Sequence, residues 1–281
     1  MSAVSDAPKS SRTFHFISGL PRSGSTLLAA ILKQNPRFHA GMTSPVADIM
    51  GVVVAEMSSK NDFSFAISDT ARVSVLRGLV ENFYAAASDA EVVFDTSRLW
   101  CSRMQMLDAL FPQAKVIACV RQLPWVLDSM ERLVRKQPVN VSKVFRFDTN
   151  TTIYSRVQAL TDPRGMVGFS FQAIKDAFYG QYAAGRLLLL TYESLARDPA
   201  AALRAVYNFI GEPWFEHDFD NVEYGAGEFD ARVGIPGLHT VRSKVEAPER
   251  KPILPLEIFS RFASESFWLD PKNNISGVPV V

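Results

Sequence analysis

Directly after the apolar run Phe14-His15-Phe16-Ile17, the chain reads Ser18-Gly19-Leu20-Pro21-Arg22-Ser23-Gly24-Ser25-Thr26-Leu27-Leu28, and no other stretch constrains the fold as much. The run before it reads as a buried strand, and Gly24 to Gln34 reads as a helix that stops near Asn35-Pro36, because proline disfavours helical geometry in the residue before it. Gly19, four intervening residues, Gly24 and Ser25-Thr26 reproduce the spacing of a phosphate-cradling P-loop, except that Ser25 stands where a nucleotide triphosphatase carries lysine. Glycines let the backbone turn its N–H groups inward, and the positive end of the helix adds its field, so an anion is held without that lysine. Arg22 supplies the fixed cation instead.

Further along, Pro45 opens a second helix towards Ser58, and Asp69 to Ala87 carries Val73, Leu76, Val80, Phe83 and Tyr84 at helical spacing. Glu91 to Asp95 reads as a short buried strand, Trp100 to Phe111 as a helix, Lys115 to Val120 as a third strand and Leu187 to Thr191 as a fourth. Short, continuously apolar strands separated by helices predict an α/β fold, with a P-loop-type parallel sheet covered by helices on both faces and ligands at the strands' carboxyl ends. Gly19, Asp95, Arg121 and Tyr192 follow such ends. The polar, turn-rich stretches 137–150 and 225–255 read as loops over the sheet, where ligand specificity would reside.

With 281 residues, 47% of them hydrophobic, the chain can bury a substantial core, and the expectation is one domain over 13–281 behind a disordered segment, 1–12. Thirty basic residues against twenty-nine acidic leave a net charge of +1, which gives no whole-molecule reason to expect nucleic acid or an anionic membrane as partner. The polar start lacks a signal-peptide core and no segment is long and apolar enough to span a bilayer, so a cytoplasmic enzyme is expected. Cys101 and Cys119 are too few for a disulfide framework and read as reduced packing residues. His15, His39 and His217 show no spacing that suggests a metal site, and no metal is expected.

Pro21 to Leu27 resembles the loop by which sulfotransferases grip the 5′-phosphosulfate of 3′-phosphoadenosine-5′-phosphosulfate (PAPS), most closely in the protein-tyrosine sulfotransferase-like branch and its bacterial relatives. The resemblance implies that Arg22, Ser23, Gly24, Ser25, Thr26 and Leu27 bind the donor. Arg121, with Ser129 eight positions later, is similar to the family's second donor element, in which guanidinium and hydroxyl hold the 3′-phosphate through charge-assisted bonds. Thr191-Tyr192-Glu193-Ser194-Leu195 and Phe209-Ile210-Gly211-Glu212-Pro213-Trp214 resemble a family strand end and helix exit, which implies that Tyr192 approaches the donor, while Phe209 and Trp214 read as packing. Ser243-Lys244-Val245-Glu246 and Arg250-Lys251-Pro252 resemble the late loop that closes over the donor; Arg242, Lys244 and Lys251 would neutralise phosphate and Ser243 would donate to the bridging oxygen. The likeness runs from residue 14 to 252 and is weakest between Gly41 and Val92.

Departures fall on the catalytic centre. Where the tyrosine sulfotransferases carry a catalytic glutamate, this chain reads Gly41-Met42-Thr43-Ser44-Pro45, and their strand-end lysine is replaced by Asp95-Thr96-Ser97-Arg98. A base must be titratable and within hydrogen-bond reach of the acceptor hydroxyl, which leaves Asp95, His239 and Asp48 as candidates. The resemblance implies sulfuryl transfer to the hydroxyl of a metabolite, saccharide or peptide tyrosine. Two rivals stand beside it: a kinase, in which Val92-Val93-Phe94-Asp95 would end on a magnesium-holding aspartate, and a catalytically idle nucleotide-binding protein.

Overall fold

The computed structural model describes residues 12–58, 61–137, 139, 142–145, 148–149, 151–247 and 249–281. The expected disorder of 1–12 falls, except for Arg12, outside the described residues. In chain order the elements are β1 (Thr13–Gly19), α1 (Ser25–Leu32), β2 (Phe38–Ala40), α2 (Val46–Glu56), α3 (Asp69–Ala87), β3 (Val92–Thr96), α4 (Met104–Leu110), β4 (Val116–Val120) and α5 (Leu123–Lys136). There follow α6 (Ile153–Thr161), α7 (Met166–Tyr179), β5 (Leu187–Thr191), α8 (Tyr192–Arg197), α9 (Pro199–Ile210), α10 (Gly227–Val233) and α11 (Leu256–Arg261). All five strands pair in parallel, in the order β2-β3-β1-β4-β5.

Strand alternation divides the core into two layers. Phe14, Phe16, Val93, Val116, Ala118, Leu187 and Leu189 point to the face covered by helices such as α3, α5 and α7. Ile17, Val92, Phe94, Ile117, Cys119, Leu188 and Leu190 point to the opposite face, beneath α1 and α9. Burial on both faces explains why the strands read as unbroken apolar runs rather than alternating ones. Helix boundaries follow local chemistry: Ser68 caps α3 through the Ala71 N–H at 3.1 Å, and Asp198 caps α9 through the Ala201 N–H at 2.9 Å.

Three local expectations change. Gly24 lies outside α1, as its cap. Trp100 to Phe111 is not one helix: Trp100–Arg103 forms a tighter 3₁₀ turn before α4. The stretch 225–255 is not loop throughout, since α10 forms within it. Among the described residues, no helix is long and apolar enough to cross a membrane.

Candidate functional site

The loop between β1 and α1 opens into a cavity of about 480 Å³ at the carboxyl ends of the strands, where Arg121 and Tyr192 also emerge. Gly24 caps α1 at φ 98°, a backbone conformation that favours glycine, and a Cβ there would lie a tight 3.3 Å from Tyr192 Cδ2 at the start of α8. Helix α1 has no side-chain cap. Its first N–H groups belong to residues that line the cavity, the arrangement expected of an anion cradle.

Arg22 is, among the described residues, the one non-glycine residue at positive φ, 59°, a conformation that costs of order 1–3 kcal/mol and recurs at functional sites. Buried Ser23 holds the bend: its hydroxyl lies 2.5 Å from the Leu20 carbonyl and 2.7 Å from that of Cys119. Ser23 therefore has only its backbone N–H to offer a ligand, whereas Ser25, Thr26 and Leu27 line the cavity directly. Arg22 Nε donates to Ser129 Oγ at 3.1 Å, and its Nη1 donates to the Leu238 carbonyl. Burial, with the nearby Arg121 charge, lowers the Arg22 pKa, yet a guanidinium stays charged in a protein.

Arg121 stacks on the Tyr192 ring, with its guanidinium carbon 4.1 Å from the ring centroid, and its Nε lies 3.6 Å from Glu193 Oε1. That separation makes an ion pair but not a hydrogen bond; Nε is buried with no hydrogen-bond partner. A buried guanidinium N–H without an acceptor is costly, and Arg121 lines the cavity together with Ser129 and Tyr192. The donor set fits a phosphate oxygen.

The late loop contributes differently from expectation. Arg242 and Lys244 line the cavity but are exposed, paired with Glu246 at 2.6 Å and Asp220 at 2.8 Å. Ser243 is exposed and outside the lining, its carbonyl accepting from the Val222 N–H at 2.6 Å, so the geometry does not support its expected bond to a bridging oxygen. Lys251 is likewise exposed and outside the lining, its carbonyl accepting from Arg132, and Arg250 lines the cavity in its place.

Of the three candidate bases, Asp95 is corrected. It is wholly buried and absent from the cavity wall, to which the next residues, Thr96, Ser97 and Arg98, belong. Its carboxylate accepts from Ser44 Oγ at 2.5 Å, Tyr84 Oη at 2.6 Å and Trp100 Nε1 at 2.6 Å. Burial pushes its pKa up, and these three bonds pull against that. The group ties β3 to α3, to the turn before α2 and to the 3₁₀ turn, and it cannot reach an acceptor hydroxyl. A magnesium ion would find the same carboxylate already committed, which removes the principal support for the kinase reading.

Asp48, in the first turn of α2, lines the cavity and is exposed, and its charge acts on the Arg98 and Arg103 guanidinium groups. His239 lines the cavity beyond Leu238, with the Phe229 ring 5.4 Å away centre to centre and Asp230 Oδ1 2.5 Å from its Nδ1. Burial is the main cause that lowers its pKa from 6.5; Asp230 opposes the shift, and Arg22 and Arg98 reinforce it. The other histidines lie elsewhere: burial holds His15 and His217 at a pKa of about 4, and His39 packs edge-on against Tyr84. Burial raises both cysteine thiols, Cys101 to about 12.

Arg98, Arg164 and Arg250 line the cavity, and Asp230 supports it, although the sequence assigned none of them a role. Met42, Leu99, Met166, Phe169, Phe229 and Val233 add apolar lining to the same cavity. The family model described as "Sulfotransferase family" matches residues 15–216. No curated protein matches the chain. Among solved structures, a sulfotransferase domain from the curacin biosynthetic pathway is similar at 20% identity and TM-score 0.54, covering 91% of this chain and 98% of that one. A sulfotransferase domain from the Synechococcus PCC 7002 olefin synthase is similar at 22% identity and TM-score 0.53, covering 95% and 98%. At these identities the likeness shows the fold.

Proposed function

The chain belongs to the sulfotransferase family, and on that premise we propose that it transfers the sulfuryl group of PAPS to the hydroxyl of a small-molecule acceptor. The observation that carries this reading is the pair of cationic clusters on one cavity: the Arg22 loop at the start of α1, and Arg121, whose Nε has an ion pair but no hydrogen-bond acceptor, beside Tyr192 and Ser129. The first suits the 5′-phosphosulfate and the second the 3′-phosphate. Arg22 reaches from the first to Ser129 of the second at 3.1 Å.

The acceptor hydroxyl attacks sulfur in line with the departing phosphate, and the enzyme mainly positions the groups and stabilises charge on the leaving oxygen. Arg22 and the loop N–H groups serve that oxygen, and His239 takes the acceptor proton. The apolar wall gives the acceptor a hydrophobic body. The apolar lining suits a metabolite, although the motifs retain the likeness to the tyrosine sulfotransferase branch. Two free, buried cysteines suit the reducing cytoplasm we assign to it.

Calorimetry tests the donor. Adenosine 3′,5′-bisphosphate should bind without magnesium and more tightly than ATP. Tight, magnesium-dependent ATP binding with no response to the bisphosphate would overturn the reading.

A further inference from the structure

His239 sits just past the turn that follows α10, and that turn returns the chain onto Asp230, nine residues earlier. Asp230 is 1% exposed. Both of its oxygens serve His239: Oδ1 lies 2.5 Å from Nδ1, and Oδ2 accepts the His239 backbone N–H at 2.9 Å. The backbone contact sets the carboxylate's position independently of the ring, and the ring contact then acts on an acceptor already fixed in place. A carboxylate oxygen at Nδ1 demands a proton there, so the neutral imidazole keeps its lone pair on Nε2.

We propose that Asp230 is a positioning residue that holds His239 as the Nδ1–H tautomer and presents Nε2 to the acceptor hydroxyl. This rests on the sulfuryl-transfer reading with His239 as base. In that step the acceptor O–H proton passes to Nε2 as the oxygen–sulfur bond forms. The bond between sulfur and the bridging oxygen of PAPS breaks, and its electron pair leaves on the phosphate. The imidazolium so formed faces Asp230 from α10, against Arg22 from the loop after β1 and Arg98 from the segment after β3. Asp230 is the group there that favours the charged ring, the role of the third member in a nucleophile, base and orienter arrangement.

Asp230→Asn tests the assignment, because the backbone contact dictates how the amide must sit. The His239 N–H requires the amide oxygen, so the NH₂ group is turned towards Nδ1, which must then accept, and the ring proton moves to Nε2. Turnover should fall about 10²–10⁴-fold while adenosine 3′,5′-bisphosphate affinity stays at the parental value. Residual activity should have its acid limb at lower pH than the parent's, since losing the carboxylate removes an interaction that raises the His239 pKa.

Imidazole ¹⁵N resonances supply a readout that needs no turnover, with the signals of the chain's four histidines assigned by comparison with His239→Gln. The parent should show Nδ1–H at His239 and Asp230→Asn should show Nε2–H. A parent ring protonated on Nε2 would overturn the proposal even if the variant fails to fold. So would a folded Asp230→Asn with parental turnover, or one with reduced turnover and an unchanged tautomer. A parent with the expected tautomer but no sulfuryl transfer to any hydroxyl acceptor would refute the functional reading and the base role together, leaving only the tautomer assignment.

Discussion

Replacing Asp95 by asparagine and by alanine separates a carboxylate that holds the fold from one that moves a proton. Trp100 Nε1–H can only donate, so in Asp95→Asn the amide oxygen must stay on the Trp100 side. The NH₂ then faces the Ser44 and Tyr84 hydroxyls, both of which can rotate to accept. Charge-assisted bonds become neutral ones, a loss of about 1 kcal/mol each, offset by removing a charge that burial disfavours; the net change is expected within about 2 kcal/mol. Asp95→Ala instead strands the buried Trp100 N–H and the Tyr84 and Ser44 hydroxyls, at about 3–5 kcal/mol in all. Because burial holds the Asp95 pKa above 3.8, the folded chain binds that proton more tightly than the unfolded chain does. The parent should therefore gain stability relative to Asp95→Asn as pH falls through the folded value towards 3.8, and lose it again as pH rises. Urea unfolding followed by tryptophan fluorescence measures these differences, and steady-state rates should find Asp95→Asn within tenfold of the parent. A folded Asp95→Asn that binds adenosine bisphosphate normally but turns over about 10²-fold more slowly would restore Asp95 as the base. Parental stability in Asp95→Ala would refute the bonding argument.

Gly19→Ala would place a Cβ 2.1 Å from the Cys119 carbonyl oxygen at φ 134°, so β1 must separate from β4; thermal unfolding by circular dichroism should show the fold lost or deeply destabilised, and a parental Tm would contradict this geometry. Arg121→Ala should keep its fold and lose about tenfold to a hundredfold in bisphosphate affinity, ~1.5–3 kcal/mol, with parental affinity by calorimetry counting against the second phosphate station. Arg250→Ala should weaken bisphosphate binding severalfold, whereas Lys251→Ala leaves it unchanged; the reverse order would return the role to Lys251.

The strand, turn and helix at 13–32 were legible because their requirements are local. Glycines at 19 and 24, an arginine between them and a following helix act within one stretch of backbone, and their spacing alone carries the geometry. Strands β3, β4 and β5 were legible because burial on both faces leaves continuous apolar runs. Strand β2 was not, since Phe38–Ala40 is three residues long and declares itself only by pairing with β3. Asp95 misled for a related reason. A strand end on the ligand edge is the right address for a catalytic acid, but its partners come from positions 44, 84 and 100, and no local pattern reveals that three donors converge on it. Asp230 could have been noticed as an acid nine residues before His239, although the distance between them depends on how the intervening turn folds back.

Arg22 ties together segments that the proposed mechanism uses separately. Its Nε meets Ser129, on the helix that follows the Arg121 strand, and its Nη1 meets the carbonyl of Leu238, immediately before His239. One guanidinium thus joins the loop after β1 to Ser129 on α5 and to the backbone just before His239. Three segments remote in sequence are brought to one point, at a residue held at positive φ. Strain of this kind persists only where the surroundings over-determine it, and the buried Ser23 hydroxyl, whose one proton is shared between the Leu20 and Cys119 carbonyls, supplies part of that constraint.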